Sequence, residues 1–159
     1  MPSLSRLTVT AATAVVLAFL LTIGSGSAAT AAPVESLSQV NCSNIRELGT
    51  SKVVRDKGMN AFTLRQYIGW CWDSSGSAWM NFASVYVWAQ YHSLGFAYRA
   101  QTGIVVGGGS DAAGYVVGDN RARLTYSIPV RTTSQCTQGW GKLSRSGSES
   151  AQGLTSLVC

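Results

Sequence analysis

The sequence predicts a mainly β protein, one antiparallel β-sandwich or small barrel carrying two disulfides behind a signal peptide. Three observations lead there. Several segments alternate polar and apolar residues with a period of two, among them a clean half-buried pattern over 121–130, where Arg121, Arg123, Thr125 and Ser127 oppose Ala122, Leu124, Tyr126 and Ile128. Glycine-containing turns recur between them, and helical periodicity is almost absent. Four cysteines, an even number, fall in the part of the chain that would be exported.

The export signal occupies the first residues. Arg6 supplies a positive n-region, an apolar run covers 9–23, and small residues fill the stretch Ser27-Ala28-Ala29-Thr30-Ala31-Ala32-Pro33. The run is too short and too broken by threonine for a comfortable membrane span. Cleavage is expected after Ala31, with Ala29 as the alternative. The expected organisation is therefore a signal peptide over 1–31, a flexible N-terminal segment over 32–40 and one β-rich domain over 41–159. Loss of Arg6 leaves eleven basic against seven acidic residues, so net charge falls from +5 to +4. The cations are scattered without a run, which implies an ordinary solvated surface and no specific nucleic-acid binding.

Along the domain, 43–48 could hold one helical turn closed by Gly49. Lys52-Val53-Val54-Arg55 and the run 61–68 read as strands joined by the turn Asp56-Lys57-Gly58. The clearest strand is expected over 81–91. There both faces are apolar, with Phe82, Ser84, Tyr86, Trp88 and Gln90 on one and Ala83, Val85, Val87, Ala89 and Tyr91 on the other. A strand of that kind is central and covered on both sides. Residues 96–100 and 104–106 make two strands or one bent one. A turn follows at 107–111, then a strand at 115–117, a turn at Gly118-Asp119-Asn120 and the strand over 121–130, ended by Pro129. The stretch 132–153 is polar and glycine-rich around Trp140, and 154–159 could be a last strand.

Cys42, Cys71, Cys136 and Cys159 are expected to form two disulfides. Three connectivities are open, and sequential pairing closes the shortest loops. A zinc site is disfavoured because no two cysteines have the close spacing such sites use. The only histidine, His92, lies in Tyr91-His92-Ser93 without a nucleophile elbow or a partner thiol, so an imidazole-based catalytic centre has little to build on. The acids are Glu35, Glu47, Asp56, Asp73, Asp111, Asp119 and Glu149, and most fall in predicted turns or ends, where Asp closes Asx-turns. No catalytic residue, metal ligand or cofactor is assigned. The glycines at 107–109 lack the lysine and helix of a phosphate loop.

The cluster Trp70-Cys71-Trp72-Asp73, with Trp79 soon after, stands out. In an extended segment Trp70 and Trp72 share a face opposite Cys71. Either that face is core and the tryptophans pack over a disulfide, as in immunoglobulin-like sandwiches, which is the plainer expectation. Or it is exposed, and Trp70, Trp72 and Trp79 form a binding patch for a cell-wall polymer, a carbohydrate or an extracellular protein.

The leader ending in Ala29-Thr30-Ala31-Ala32-Pro33, the spaced cysteines and segments such as Leu64-Arg65-Gln66-Tyr67-Ile68-Gly69-Trp70-Cys71 resemble small secreted, disulfide-containing β-rich proteins of actinobacteria. The resemblance implies secretion and transfers no site residue. Secreted protease inhibitors of the same bacteria also carry two disulfides, but their cysteine-bracketed reactive loop is not found. Three functions stay open: a non-catalytic binding or surface-associated module, an inhibitor presenting a braced loop over 72–78, and a small enzyme using His92. The first is the leading expectation because catalytic groups are scarce and aromatics plentiful.

Overall fold

The structure, a computed structural model, describes residues 39–146 and 148–159, without the side chains of 148–150. The signal peptide and nearly all of the 32–40 segment lie outside the described residues. Among the described residues eight strands and one helical turn follow in order: β1 (Cys42–Asp56), β2 (Met59–Asp73), β3 (Gly76–Val87), α1 (Ala89–His92), β4 (Tyr98–Val106), β5 (Ala112–Asn120), β6 (Leu124–Tyr126), β7 (Thr137–Arg145) and β8 (Ser148–Leu154). They form two antiparallel four-stranded sheets, ordered β1-β2-β3-β6 and β5-β4-β7-β8. The predicted mainly β, sandwich-like fold with two disulfides is what the chain adopts.

Local chemistry explains the long β1–β2–β3 meander. Lys57 and Gly58 connect β1 to β2 with φ of 50° and 79°. A two-residue turn with both φ positive matches strand twist, which is why a glycine sits there. At the next hairpin Asp73 Oδ1 accepts the Ser75 N–H at 2.7 Å, an Asx-turn that reverses the chain into Gly76.

The two sheets meet over a core that changes character along the strands. In the register of β2 and β3, Phe62 faces Val87 and Leu64 faces Val85, then Gln66 faces Ala83, Ile68 faces Asn81 and Trp70 faces Trp79. The first rows belong to an apolar cluster with Tyr91, Tyr98, Ala100, Ile104 and Leu143. The middle rows are polar. Fully buried Gln66 donates from Nε2 to Thr137 Oγ1 at 2.7 Å, and its Oε1 accepts the Gly139 N–H at 3.0 Å and the Thr155 hydroxyl at 3.2 Å. These bonds tie β2 to β7 across the sandwich, because a buried amide must satisfy its polar atoms somewhere. On the opposite face of the same strands a second cluster gathers Tyr67, Cys71, Met80, Phe82 and Tyr126 with Val40. β3 is thus buried on both faces, as its apolar pattern predicted.

Both disulfides form in the sequential pairing, Cys42–Cys71 and Cys136–Cys159. The first joins directly opposed residues of β1 and β2, and the second joins residues that flank the Thr137–Val158 bridge.

Several expected elements are corrected. Residues 43–48 are strand, not a helical turn, because ladder pairing with β2 satisfies their backbone and overrides a weak local signal; Asn44, at φ 51°, and Gly49, at φ 62°, sit beside interruptions of that ladder. The strand expected over 81–91 ends at Val87. Ala89–His92 coil into a helical turn that drops Tyr91 into the core. The strand expected over 121–130 keeps only Leu124–Tyr126, since beyond it Ser127 N–H bonds Ala83 in one sheet and Ile128 N–H bonds Gly114 in β5. β5 runs straight through the expected turn at 118–120. The supposed loop around Trp140 is β7, whose inward positions Thr137, Gly139, Gly141 and Leu143 are buried. The expected last strand is displaced to Ser148–Leu154, leaving a bridge at Val158.

Candidate functional site

Trp70, Trp72 and Trp79 lie on the core-facing side of the first sheet, as strand parity requires, but beyond the point where the core ends. Trp70 and Trp79 are directly opposed across β2 and β3, with ring centroids 5.9 Å apart at 75° in an edge-to-face contact. Trp70 is half-buried, while Trp72 and Trp79 keep 44% and 39% of their surface exposed. The expectation that this face is core and its tryptophans pack over a disulfide is not met, because Trp72 and Trp79 stay exposed; Cys71, one residue from Trp70 and from Trp72, packs on the other face with Tyr67, Met80 and Phe82. The three tryptophans therefore sit together at one end of the sandwich.

That end is held firmly. The Cys42–Cys71 bridge spans the rows next to Trp70 and Trp72. Arg131 grips the hairpin tip, donating to both Asp73 carboxylate oxygens at 3.0 and 2.8 Å and to the Gly76 carbonyl at 2.8 Å. Those Arg131 hydrogen bonds, with the Ser75 N–H, hold the Asp73 carboxyl below its ordinary range. From β1 the Arg46 guanidinium lies over the Trp79 ring, 5.7 Å from its centroid.

One row in from Trp70 and Trp79 on the same face, where Ile68 opposes Asn81, is a cavity of about 190 Å³ with Arg46, Ile68, Asn81, Thr133, Gln135 and Cys159 among the residues around it. Asn81 is only 3% exposed. Its Nδ2 donates to Thr132 Oγ1 at 3.0 Å and more weakly to Thr137 Oγ1, whereas its Oδ1 is buried with no donor. A buried acceptor left unmatched costs about 1–3 kcal/mol. Neither Arg46 nor Asn81 was singled out in the sequence. Asn81 is two residues from Trp79 on the same strand face, a signal period-two reading contains; the 133–135 segment and Cys159 reach the cavity only through tertiary folding.

A larger cavity, about 440 Å³, lies at the other end against the second sheet. Its polar lining is mostly engaged already: Gln101 donates to Ser144 and accepts from Tyr115, and Arg145 pairs with Asp56. His92 is also at that end, away from the tryptophans. Its Nδ1 lies 2.7 Å from the Tyr98 hydroxyl, which itself donates to the Arg121 carbonyl. No carboxylate contacts the imidazole among the described residues. Burial raises the Tyr98 hydroxyl above its ordinary pKa, so it stays neutral and serves as a hydrogen-bonding spacer.

Glu47, Asp56 and Asp73 are each paired with an arginine, namely Arg65, Arg145 and Arg131. Among the described residues no cluster of histidine, cysteine and carboxylate side chains has metal-binding geometry, and no helix is long and apolar enough to cross a membrane. Comparison with protein-family models, with curated proteins and with solved structures gives no match.

Proposed function

We propose that this chain is a secreted, non-catalytic binding module that works outside the cell through the tryptophan end of its sandwich. The carrying observation is the row Trp70, Trp79 and Trp72, which continues the core-facing side past its cover and leaves two large rings in solvent at a disulfide-braced, arginine-clamped edge. Rigid aromatic surface of this kind binds with little entropy lost on ordering. Secretion is supported by the leader and its resemblance to actinobacterial exported proteins, and by the two disulfides, which persist in oxidising compartments. The His92 environment supports the non-catalytic reading, since the imidazole is held by a neutral tyrosine and not by an acid.

The test is retention of the mature protein on cell-wall material, chitin, anionic vesicles and immobilised extracellular proteases. Trp72→Ala and Trp79→Ala should weaken retention while preserving the β spectrum, and His92→Ala should leave it unchanged. Loss of a measurable activity on His92→Ala with both tryptophan variants silent would replace the binding module by an enzyme. A second reading keeps the same surface but presents the 72–78 hairpin to a protease cleft. The Asp73–Arg131 clamp on the hairpin tip favours it, because inhibitory loops must be stiff.

A further inference from the structure

Resting on that reading, we infer that the ligand is a pyranose polysaccharide, stacked by one ring on Trp79 and Trp72 with a hydroxyl or amide arm inserted beside Asn81. Three features of the site support this choice.

Size comes first. Two half-exposed indoles present on the order of 200 Å² of contact surface, given that a tryptophan buries roughly 150–250 Å² in all. A stable protein partner needs about 800 Å² on each side. The tryptophans suit a flat ring of a chain molecule better than a second folded protein. The adjoining cavity, at about 190 Å³, is smaller than the roughly 300–1,000 Å³ of pockets that engulf a whole ligand, so it admits a substituent.

Chemistry comes second. Aromatic faces next to a polar recess call for a ligand with both an apolar face and polar edges, which is the character of a pyranose. The recess is lined by polar side chains, Asn81, Thr133 and Gln135, together with the guanidinium-bearing Arg46. Arg46 has no carboxylate partner among the described residues, and its position over Trp79 places cation and stacking surface in one site. An acyl chain would leave the cation and the polar lining of the recess without partners.

Spacing comes third. Asn81 follows Trp79 by two residues on one strand face, a rise of about 6.8 Å, so the recess begins one row in from the stacking surface. The Thr132 and Thr137 hydroxyls accept from the Asn81 amide and hold that side chain in place before ligand arrives.

The experiment is intrinsic tryptophan fluorescence of the mature, disulfide-intact protein titrated with hexasaccharides of the cello, chito, xylo and manno series. Anionic vesicles and a mixture of secreted proteases serve as the non-saccharide arms. At least one hexasaccharide should shift the emission saturably. Trp79→Ala should weaken that binding at least tenfold. Arg46→Gln, an exposed change that leaves the core alone, and Asn81→Leu, checked for folding by its melt, should each weaken it several-fold. If tryptophan-dependent retention is seen on vesicles or proteases while no saccharide shifts the emission, the saccharide assignment is overturned and the binding module stands. If saccharides bind equally well to Trp79→Ala, both are overturned. If they bind to Arg46→Gln and to folded Asn81→Leu as to wild type, the recess has no part in recognition.

Discussion

Replacing Gly141 by alanine tests how closely the two sheets approach. Gly141 faces inward from β7, and a Cβ built there would lie 2.6 Å from Val85 Cγ2, 2.9 Å from Leu64 Cδ1 and 3.4 Å from Phe62 Cε2. All three neighbours are fully buried and have no solvent side to move toward. Overpacking of this kind costs about 1–3 kcal/mol. Against it stands a gain of about 0.4–1 kcal/mol from the reduced freedom of the unfolded chain. The net destabilisation is about 1–2 kcal/mol, which for a domain of this size lowers Tm by about 4–8 °C. Gly139 is the internal control, on the same strand and the same face. Its added Cβ would meet Ala83 and Thr155 at 3.3 Å and Gln66 at 3.4 Å, distances a small shift relieves. Gly139→Ala should therefore stay within about 0.5 kcal/mol of wild type, the two terms nearly cancelling. Thermal melts followed by circular dichroism, with urea titration for the free energies, read both variants. Gly141→Ala melting with wild type, or Gly139→Ala proving the more damaging, would refute this account of the interface.

Asp56→Asn should destabilise by about 3 kcal/mol, because it strips the charge partner from Arg145, whose side chain is 9% exposed, and perturbs the Tyr91 hydroxyl bound to the same carboxylate. Glu47→Gln at the more exposed Arg65 pair should cost below about 1 kcal/mol, and urea midpoints would decide whether that order holds. Burial holds the hydroxyls of Tyr67, Tyr91 and Tyr98 above the ordinary tyrosine pKa. Their neutral forms are favoured in the fold, so this stability is whole below about pH 10 and is lost as pH rises through the raised values. Ultraviolet titration should show these three ionising late and with unfolding; ionisation of all six tyrosines together near pH 10 in a folded protein would contradict it. Replacing Cys136 and Cys159 by serine opens a loop spanning 23 residues and should lower stability by roughly 3.5 kcal/mol, with no free thiol titrating in the native parent.

The sequence by itself determined the strand-dominated class, the Lys57-Gly58 hairpin, the two-faced burial of β3 and the shared face of Trp70 and Trp72. Each follows from period-two geometry or from a turn residue, information that lies within a few neighbours along the chain. It also favoured the sequential disulfides, because short loops close at lower entropy. Only the tertiary structure decided how far the core extends along β2 and β3. Strand parity places the tryptophans on the inward side, but whether inward means buried depends on where the second sheet stops covering them. β7 was illegible for a related reason. Its inward positions include Gly139 and Gly141, which carry no hydrophobic signal, and their value lies in letting Leu64, Val85 and Phe62 of the facing sheet come close. Asn81 gains meaning in the same way. One-dimensional pattern shows it beside Trp79, and only the packed sandwich leaves its carbonyl oxygen buried and unmatched beside the site, because burial and partner geometry are set by residues fifty positions away.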